Sequence, residues 1–206
     1  VLNPLMPIFR ERELSFMLKH TESKVLIVPK VFRKFDHEKL AYQLQKNIES
    51  LEHVVVVGGE GENSFEKLLL NHGLDNDPQI LNTLNDVTIT ADDIAQLVFT
   101  SGTTGEPKGV MHTANTLFSN IVPYAKRLHL SKDDVIFMGS PMAHQTGFMY
   151  GLIMPVLLKA KAVLQDVWDV NTAIGLIHKH QVTFTMASTP FLNDLSEAVL
   201  DTHQSL

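Results

Sequence analysis

The chain has 206 residues, 44% hydrophobic and 19% charged, a composition that gives one or two globular domains a true core and excludes a disordered chain. Its net charge of −6 argues against nucleic-acid partners, which need clustered Lys and Arg. Without any Cys the chain has no disulfides and no thiolate metal site, in keeping with a cytoplasmic protein.

Taken in chain order, the pattern alternates helix and strand. Leu14–His20 carries apolar residues at helical spacing, and Lys24–Pro29 is a short β-branched run that predicts a strand. Arg10 to Glu13 reads as the exposed first turn of a helix. Leu40, Leu44 and Ile48 recur every four residues and predict a helix over Asp36–Ile48. The unbroken valines of His53–Gly59 predict a strand buried on both faces, as in a parallel sheet. Asn63 and Glu66 have capping-box spacing ahead of a helix expected to stop at Gly73. The polar stretch from Leu74, with Asp75, Asn76, Asp77 and Pro78 together, predicts a linker loop over 74–93.

Ile94–Phe99 predicts a strand, Thr113–Leu128 a helix, and Asp134–Met138, Ala160–Gln165 and Val182–Met186 further strands, with a helix over Asn171–His180. Thr189 before Pro190 predicts an N-cap with Pro at the first helical position. The alternation predicts an α/β fold: a largely parallel sheet flanked by helices, with ligands at the C-terminal edge of its strands. The expected division is a first α/β segment over 1–73, the linker, and a second α/β segment over 94–206.

One stretch departs from ordinary strand–helix grammar. Leu97 to Phe99 runs straight into Thr100-Ser101-Gly102-Thr103-Thr104-Gly105-Glu106-Pro107-Lys108-Gly109. Glycines let backbone N–H groups approach a ligand closely, consecutive N–H groups form anion-binding concavities, and hydroxyls add neutral donors. Lys108 adds a compact cation suited to phosphate. The stretch is therefore a candidate polyphosphate clamp. It is not the common P-loop, because Pro107 precedes the Lys and Gly109 follows it, and it is not the dinucleotide fingerprint.

This stretch resembles the phosphate-binding signature of the AMP-forming acyl-CoA synthetases, the adenylate-forming superfamily that also holds luciferases and peptide-synthetase adenylation domains. Gly109–Leu117 resembles the segment that follows the signature, Pro141–Gly151 the next family motif, and Asn3–Val28 an earlier stretch. The resemblance covers nearly the whole chain, most weakly over Gly59–Asp92, and implies part of the large N-terminal domain of an adenylate-forming enzyme.

It also implies a two-step reaction: a carboxylate attacks the α-phosphorus of ATP to give acyl-AMP and pyrophosphate, and the thiol of coenzyme A then displaces AMP. On that resemblance Thr100, Ser101, Gly102, Thr103, Thr104, Gly105 and Lys108 hold the β- and γ-phosphates, and Lys108 and His144 are the catalytic candidates. His144, Gly147, Ser188 and Thr189 are the acyl-pocket candidates. Many members carry an aromatic just before the His; Ala143 here widens the site.

Phe148–Leu158 reads equally as the lining of an acyl tunnel or as a buried helix, and Ser188–Thr189 as a pocket edge or a helix start. His178 and His180 sit two apart and do not share a helix face, so they read as a solvated helix end rather than a metal site. The family's Tyr-Gly-x-Thr-Glu motif, whose Glu would hold Mg²⁺, its ribose-binding Gly-Asp motif, and its hinge and C-terminal lid are not found in this sequence. The resemblance places them beyond the chain, which does not begin with Met and reads as an excerpt of a longer protein, inactive by itself.

The expected substrate is a small-molecule carboxylic acid of fatty-acid type, since the apolar tunnel candidates favour an aliphatic acid over a small one. No leader is visible, since Pro4, Pro7 and Arg10 interrupt the apolar start, and the uncharged run Gln145–Leu158 is too short to span a bilayer. Peripheral membrane contact is left open. A carrier protein in place of coenzyme A, a non-catalytic nucleotide-binding module and a P-loop-type ATPase are the rival readings.

Overall fold

The computed structural model describes residues 1–70, 77–100 and 107–202. The chain divides into two compact units, one spanning Pro7–Thr90 and one built from Val1–Met6, Ala91–Thr100 and the chain from Lys108 onward.

The first unit is organised around two parallel strands, β1 (Val25–Pro29) and β4 (His53–Val57), paired Val25 to His53 through Pro29 to Val57. Helix α1 (Glu11–His20) buries Leu14, Met17 and Leu18. Its start is fixed by Glu13, which accepts the Arg10 backbone N–H at 3.1 Å. Helix α2 (His37–Asn47) is capped by Asp36, whose carboxylate accepts the Lys39 N–H at 2.9 Å, and buries Leu40, Ala41 and Leu44. Between β1 and α2 the structure adds a hairpin, β2 (Val31–Phe32) and β3 (Phe35–Asp36), whose turn residues Arg33 and Lys34 both have positive φ, 49° and 65°. Such turns usually use Asn-Gly, so Arg-Lys gave no signal.

The valine run of β4 is buried as expected at Val54, Val55 and Val56, but β1 buries one face only: Val25 and Ile27 are 49% and 52% exposed.

Two expectations are corrected in this unit. The 74–93 stretch holds a helix, α3 (Pro78–Asn85), capped by Asp77 with Pro78 inside its first turn. Of the residues read as loop chemistry, Asp77 and Pro78 are a helix start. The 63–73 segment forms a π-helical turn over Glu66–Leu70, capped by Ser64, whose hydroxyl accepts the Lys67 N–H at 3.1 Å. Glu66 does not close a box with Asn63. It reaches back to accept the Gly58 N–H at 3.0 Å, where φ is +72°. The expected stop at Gly73 lies outside the described residues.

His37 is 6% exposed, with its ring edge-on to Phe35 and the Arg10 guanidinium 3.9 Å over the same Phe35 ring. Burial, and then the Arg10 charge, holds the imidazole below its ordinary 6.5, against smaller opposing pulls from Asp36 and the Phe32 backbone. The unfolded chain therefore takes up this proton first. The stability that neutral His37 contributes is full above the unfolded value and is lost as pH falls toward the folded one. Urea midpoints between pH 8 and 5 are expected to fall with acidification more steeply in wild type than in His37→Leu; equal slopes would refute it.

The second unit is a three-stranded parallel sheet in the order β8–β7–β9, with β7 (Val135–Met138), β8 (Lys161–Leu164) and β9 (Phe184–Thr185). The central strand sends alternate side chains to opposite faces. Ile136 packs with Leu117, Ile121 and Ala125 of α4 (Ala114–Arg127) and with Phe148, Met149 and Met154. Phe137 packs with Val163, with Ala173, Ile174 and Ile177 of α6 (Val170–His180), and with Leu195 of α7 (Thr189–Thr202). Helices on both faces are why β7 reads as an unbroken apolar run. Full burial of such a side chain contributes about 1.5–3 kcal/mol.

This unit also holds an antiparallel hairpin, β5 (Ile94–Thr100) with β6 (Lys108–Thr113). The first residues bridge to it, with Leu2 donating to Ala95 O and accepting from Leu97 N, both at 2.8 Å. The fold is thus α/β with parallel strands as expected, plus an antiparallel element the sequence did not announce. Among the described residues no helix is long and apolar enough to cross a membrane.

Candidate active site

The clamp candidates do not sit between a strand and a helix. They connect the two strands of a hairpin, because Lys108–Thr113 extends and pairs back on β5 before α4 begins at its Thr113 cap. The register puts Thr100 opposite Lys108, and the Thr100 hydroxyl donates to the Lys108 carbonyl at 3.4 Å. The two ends of the clamp sequence are therefore held side by side, with both residues exposed. Ser101, Gly102, Thr103, Thr104 and Gly105 lie outside the described residues.

His144 follows the C-terminal end of β7, and Ser188 and Thr189 follow that of β9, its parallel neighbour. These candidates share one sheet edge, where open α/β sheets present their ligands. His144 sits in a tight turn: its N–H donates to the Pro141 carbonyl at 3.0 Å, and its own carbonyl accepts from Phe148 at 3.0 Å. The Thr146 backbone N–H donates to His144 Nδ1 at 3.2 Å. That bond needs the Nδ1 lone pair, so the neutral ring carries its proton on Nε2. The exposed imidazole therefore offers an N–H donor from a fixed ring.

Gly147 lies beneath this turn. A Cβ there would stand 2.1 Å from the Pro141 carbonyl oxygen and 2.7 Å from that of Ser140, so close packing by itself demands the glycine. Gly147–Ile153 is π-helical and runs into a short helix, α5 (Met154–Leu158). Its buried Phe148, Met149 and Met154 join the β7 core, which favours the buried-helix reading of this stretch. π-Helical segments concentrate at functional sites.

Ser188 and Thr189 are exposed. Ser188 O accepts from Leu192 N at 3.3 Å, so the cap is Ser188 and the helix starts at Thr189, one residue earlier than expected. His178 and His180 occupy the last turn of α6, and His180 Nδ1 lies 3.1 Å from Lys161 Nζ. Partial burial, then Lys161 and Lys179, pushes the His180 pKa down. Among the described residues no three His, Asp or Glu side chains gather into a cation site.

Sequence reasoning missed Gln96 and Gln145. Gln96, on β5, is 1% exposed, and its Oε1 accepts from Gln145 Nε2 at 3.1 Å. A buried Gln in an apolar strand was a visible signal of a polar role.

The chain matches the family model described as AMP-binding enzyme over residues 1–205. It is 32% identical over 192 residues to the medium-chain fatty-acid–CoA ligase of Escherichia coli (strain K12), covering 93% of this chain and 33% of that protein. A crystal structure of a long-chain-fatty-acid–CoA ligase from Archaeoglobus fulgidus superposes with a TM-score of 0.68 at 27% identity, covering 97% of this chain and 37% of that one. The apo structure of MbtA from Mycobacterium smegmatis superposes with a TM-score of 0.81 at 23% identity over 95% of this chain and 35% of that one, a likeness of fold. The chain spans about a third of the length of the relatives it matches, and from residue 1 to residue 205 it belongs to the AMP-binding enzyme family.

Proposed function

We propose that the chain is the phosphate- and acyl-binding part of an ATP-dependent fatty-acid–CoA ligase of the cytoplasm, which joins a carboxylic acid to coenzyme A through an acyl-AMP intermediate. The observation that carries this reading is the clamp sequence held as a hairpin connection, with Thr100 and Lys108 paired at its base. Attack by a carboxylate on ATP brings an anion up to a polyanion, and charge builds on the departing pyrophosphate. Fixed donors and a cation directed at those oxygens lower that barrier.

Lys108 and the hydroxyl-rich run from Thr100 to Gly105 hold the β- and γ-phosphates. His144 presents its Nε2–H toward the reacting carboxylate, with Gly147, Ser188 and Thr189 toward the acyl group. Mg²⁺ and the ribose would be held by the Tyr-Gly-x-Thr-Glu and Gly-Asp motifs that the family resemblance implies and these 206 residues do not contain. The fatty-acid class is supported by the Escherichia coli ligase it resembles and by the apolar stretch after His144.

The test is carboxylate-dependent exchange of pyrophosphate into ATP, run with short to long fatty acids on this chain and on the chain extended at its C-terminus. Exchange by the extended chain with one acid class, and none by the 206 residues alone, is the expected result. Failure of the extended chain with every acid overturns the ligase reading, and turnover by this chain alone overturns the need for the missing part. A carrier protein as acceptor in place of coenzyme A would move the chain to the adenylation domains.

A further inference from the structure

The buried amide of Gln96 and the half-buried amide of Gln145 connect the hairpin that carries the clamp to the turn that carries His144. Gln96 is among the largest fully buried side chains of the protein, at 1% exposure, on a strand whose neighbouring side chains are apolar. The β5–β6 register slips between Ile94 and Gln96, and irregularities of this kind re-aim a side chain and gather beside active sites. Gln145 directly follows His144, and its Nε2 donates to Gln96 Oε1 at 3.1 Å. The same two side chains leave the Gln96 Nε2 and Gln145 Oε1 atoms buried without a hydrogen-bond partner.

Two apolar side chains would fill this space without stranding a donor and an acceptor. The amides are thus a poor solution for stability alone, and their retention calls for another reason. That reason lies in what they join. Thr100, at the mouth of the clamp, is four residues along β5 from Gln96, roughly 13 Å of extended strand. On the other side, the two residues flanking Gln145 are joined to each other, the Thr146 N–H donating to the His144 ring, and Gly147, one residue further on, leaves no room for a Cβ against the Pro141 carbonyl. This hydrogen bond links the two elements through their side chains.

We propose that Gln96 and Gln145 form a positioning pair that sets the distance between the phosphate clamp and His144, so that the carboxylate and the α-phosphorus meet in reacting geometry. This inference rests on the ligase reading. Neither residue touches the reacting atoms. They act through β5 and the His144 turn, and they act as a unit.

The experiment uses the full-length protein that carries this chain, with Gln96→Met, Gln145→Met and the double variant. Each Met keeps the side-chain length and removes the amide. The measurements are the kcat and KM of carboxylate-dependent ATP–pyrophosphate exchange, with the melting temperature alongside. Either single variant is expected to lower kcat on the order of tenfold through misplacement of the two halves, with the KM for ATP unchanged. The melting temperature of each single variant should hold or fall slightly, because each strands the other amide's bonded atom while removing one already stranded, and that of the double variant should hold or rise, because all four amide atoms are gone. The double variant should be no slower than the slower single one, the mark of a coupled pair.

Singles that keep wild-type kcat would overturn the inference and leave the ligase reading intact, as would losses that multiply in the double variant or a kcat that simply follows a lowered melting temperature. A wild type that exchanges with no acid would remove both. Gln145 lies on a turn, so Gln145→Met carries the test if Gln96→Met does not fold.

Discussion

Gly147→Ala is expected to destabilise the protein by at least about 3 kcal/mol, the upper end of what overpacking costs. The new Cβ would lie 2.1 Å from the Pro141 carbonyl oxygen, 2.6 Å from its carbon and 2.7 Å from the Ser140 oxygen. All three are backbone atoms, with no side chain to swing aside. The Pro141 carbonyl is further committed, since it accepts the His144 N–H at 3.0 Å. Relief therefore requires opening the turn that carries His144, and stability and site geometry fail together. In a domain of this size the melting temperature should drop by roughly 6–12 °C. The control is Gly175→Ala in α6, where a Cβ meets nothing within 4 Å. There Ala restricts the unfolded chain and suits the helix, and a gain of about 0.5–1 kcal/mol is expected. Two Gly→Ala changes with opposite signs separate close packing from mere conformational freedom. Equal melting temperatures for wild type and Gly147→Ala would refute the packing account.

What the sequence made legible were the elements whose signals are local. Leu40 and Leu44 marked α2 because they line one face of it, and Asp36 marked its start by accepting the Lys39 N–H. The apolar run of β7 was readable because both its faces are covered, Ile136 on one side and Phe137 on the other. Strand β6, which went unread, has no local signal. Lys108-Gly109-Val110-Met111-His112-Thr113 is mostly exposed and contains a glycine, and it is a strand because β5 lies beside it in the right register. Strand formation there is decided by pairing, which no window of the sequence contains. Helix α3 was different: Asp77 before Pro78 is the same kind of start signal as Ser188 and Thr189 before Pro190, masked by the polar residues around it.

The site divides along the same line. The clamp candidates and His144 were legible as a sequence of chemical types, since glycines, hydroxyls and a lysine together have few other uses. Their arrangement was not. That Thr100 and Lys108 are opposed and that Gln145 is tied to Gln96 across 49 positions of sequence are consequences of pairing between elements, and the bond from the Thr146 N–H to the His144 ring follows from the backbone of a single turn. Gly147 shows how a residue noticed for one reason acquires another: chosen for its place beside a candidate acyl site, it is required by a backbone contact whatever the site binds.

Lys108→Met in the full-length protein is expected to lower the kcat of carboxylate-dependent ATP–pyrophosphate exchange by about 10²–10³, the loss typical of removing one donor aimed at developing charge. Among the described residues this side chain makes no hydrogen bond or ion pair. It is exposed at the first residue of β6, and the bonds that close the hairpin there use its backbone, including the carbonyl that accepts from Thr100. The melting temperature should therefore stay within about a degree of wild type, as for surface substitutions away from packed features. Lys108→Arg keeps the charge but replaces a compact ammonium with a planar fork, and recovers part of the rate at most. If the lysine acts on charge that appears only as pyrophosphate departs, kcat falls while the KM for ATP changes little. If it merely holds ATP, KM rises and kcat is retained. Wild-type rates in Lys108→Met would remove the cation from the mechanism and leave the hydroxyls and backbone of the clamp to carry the phosphates alone.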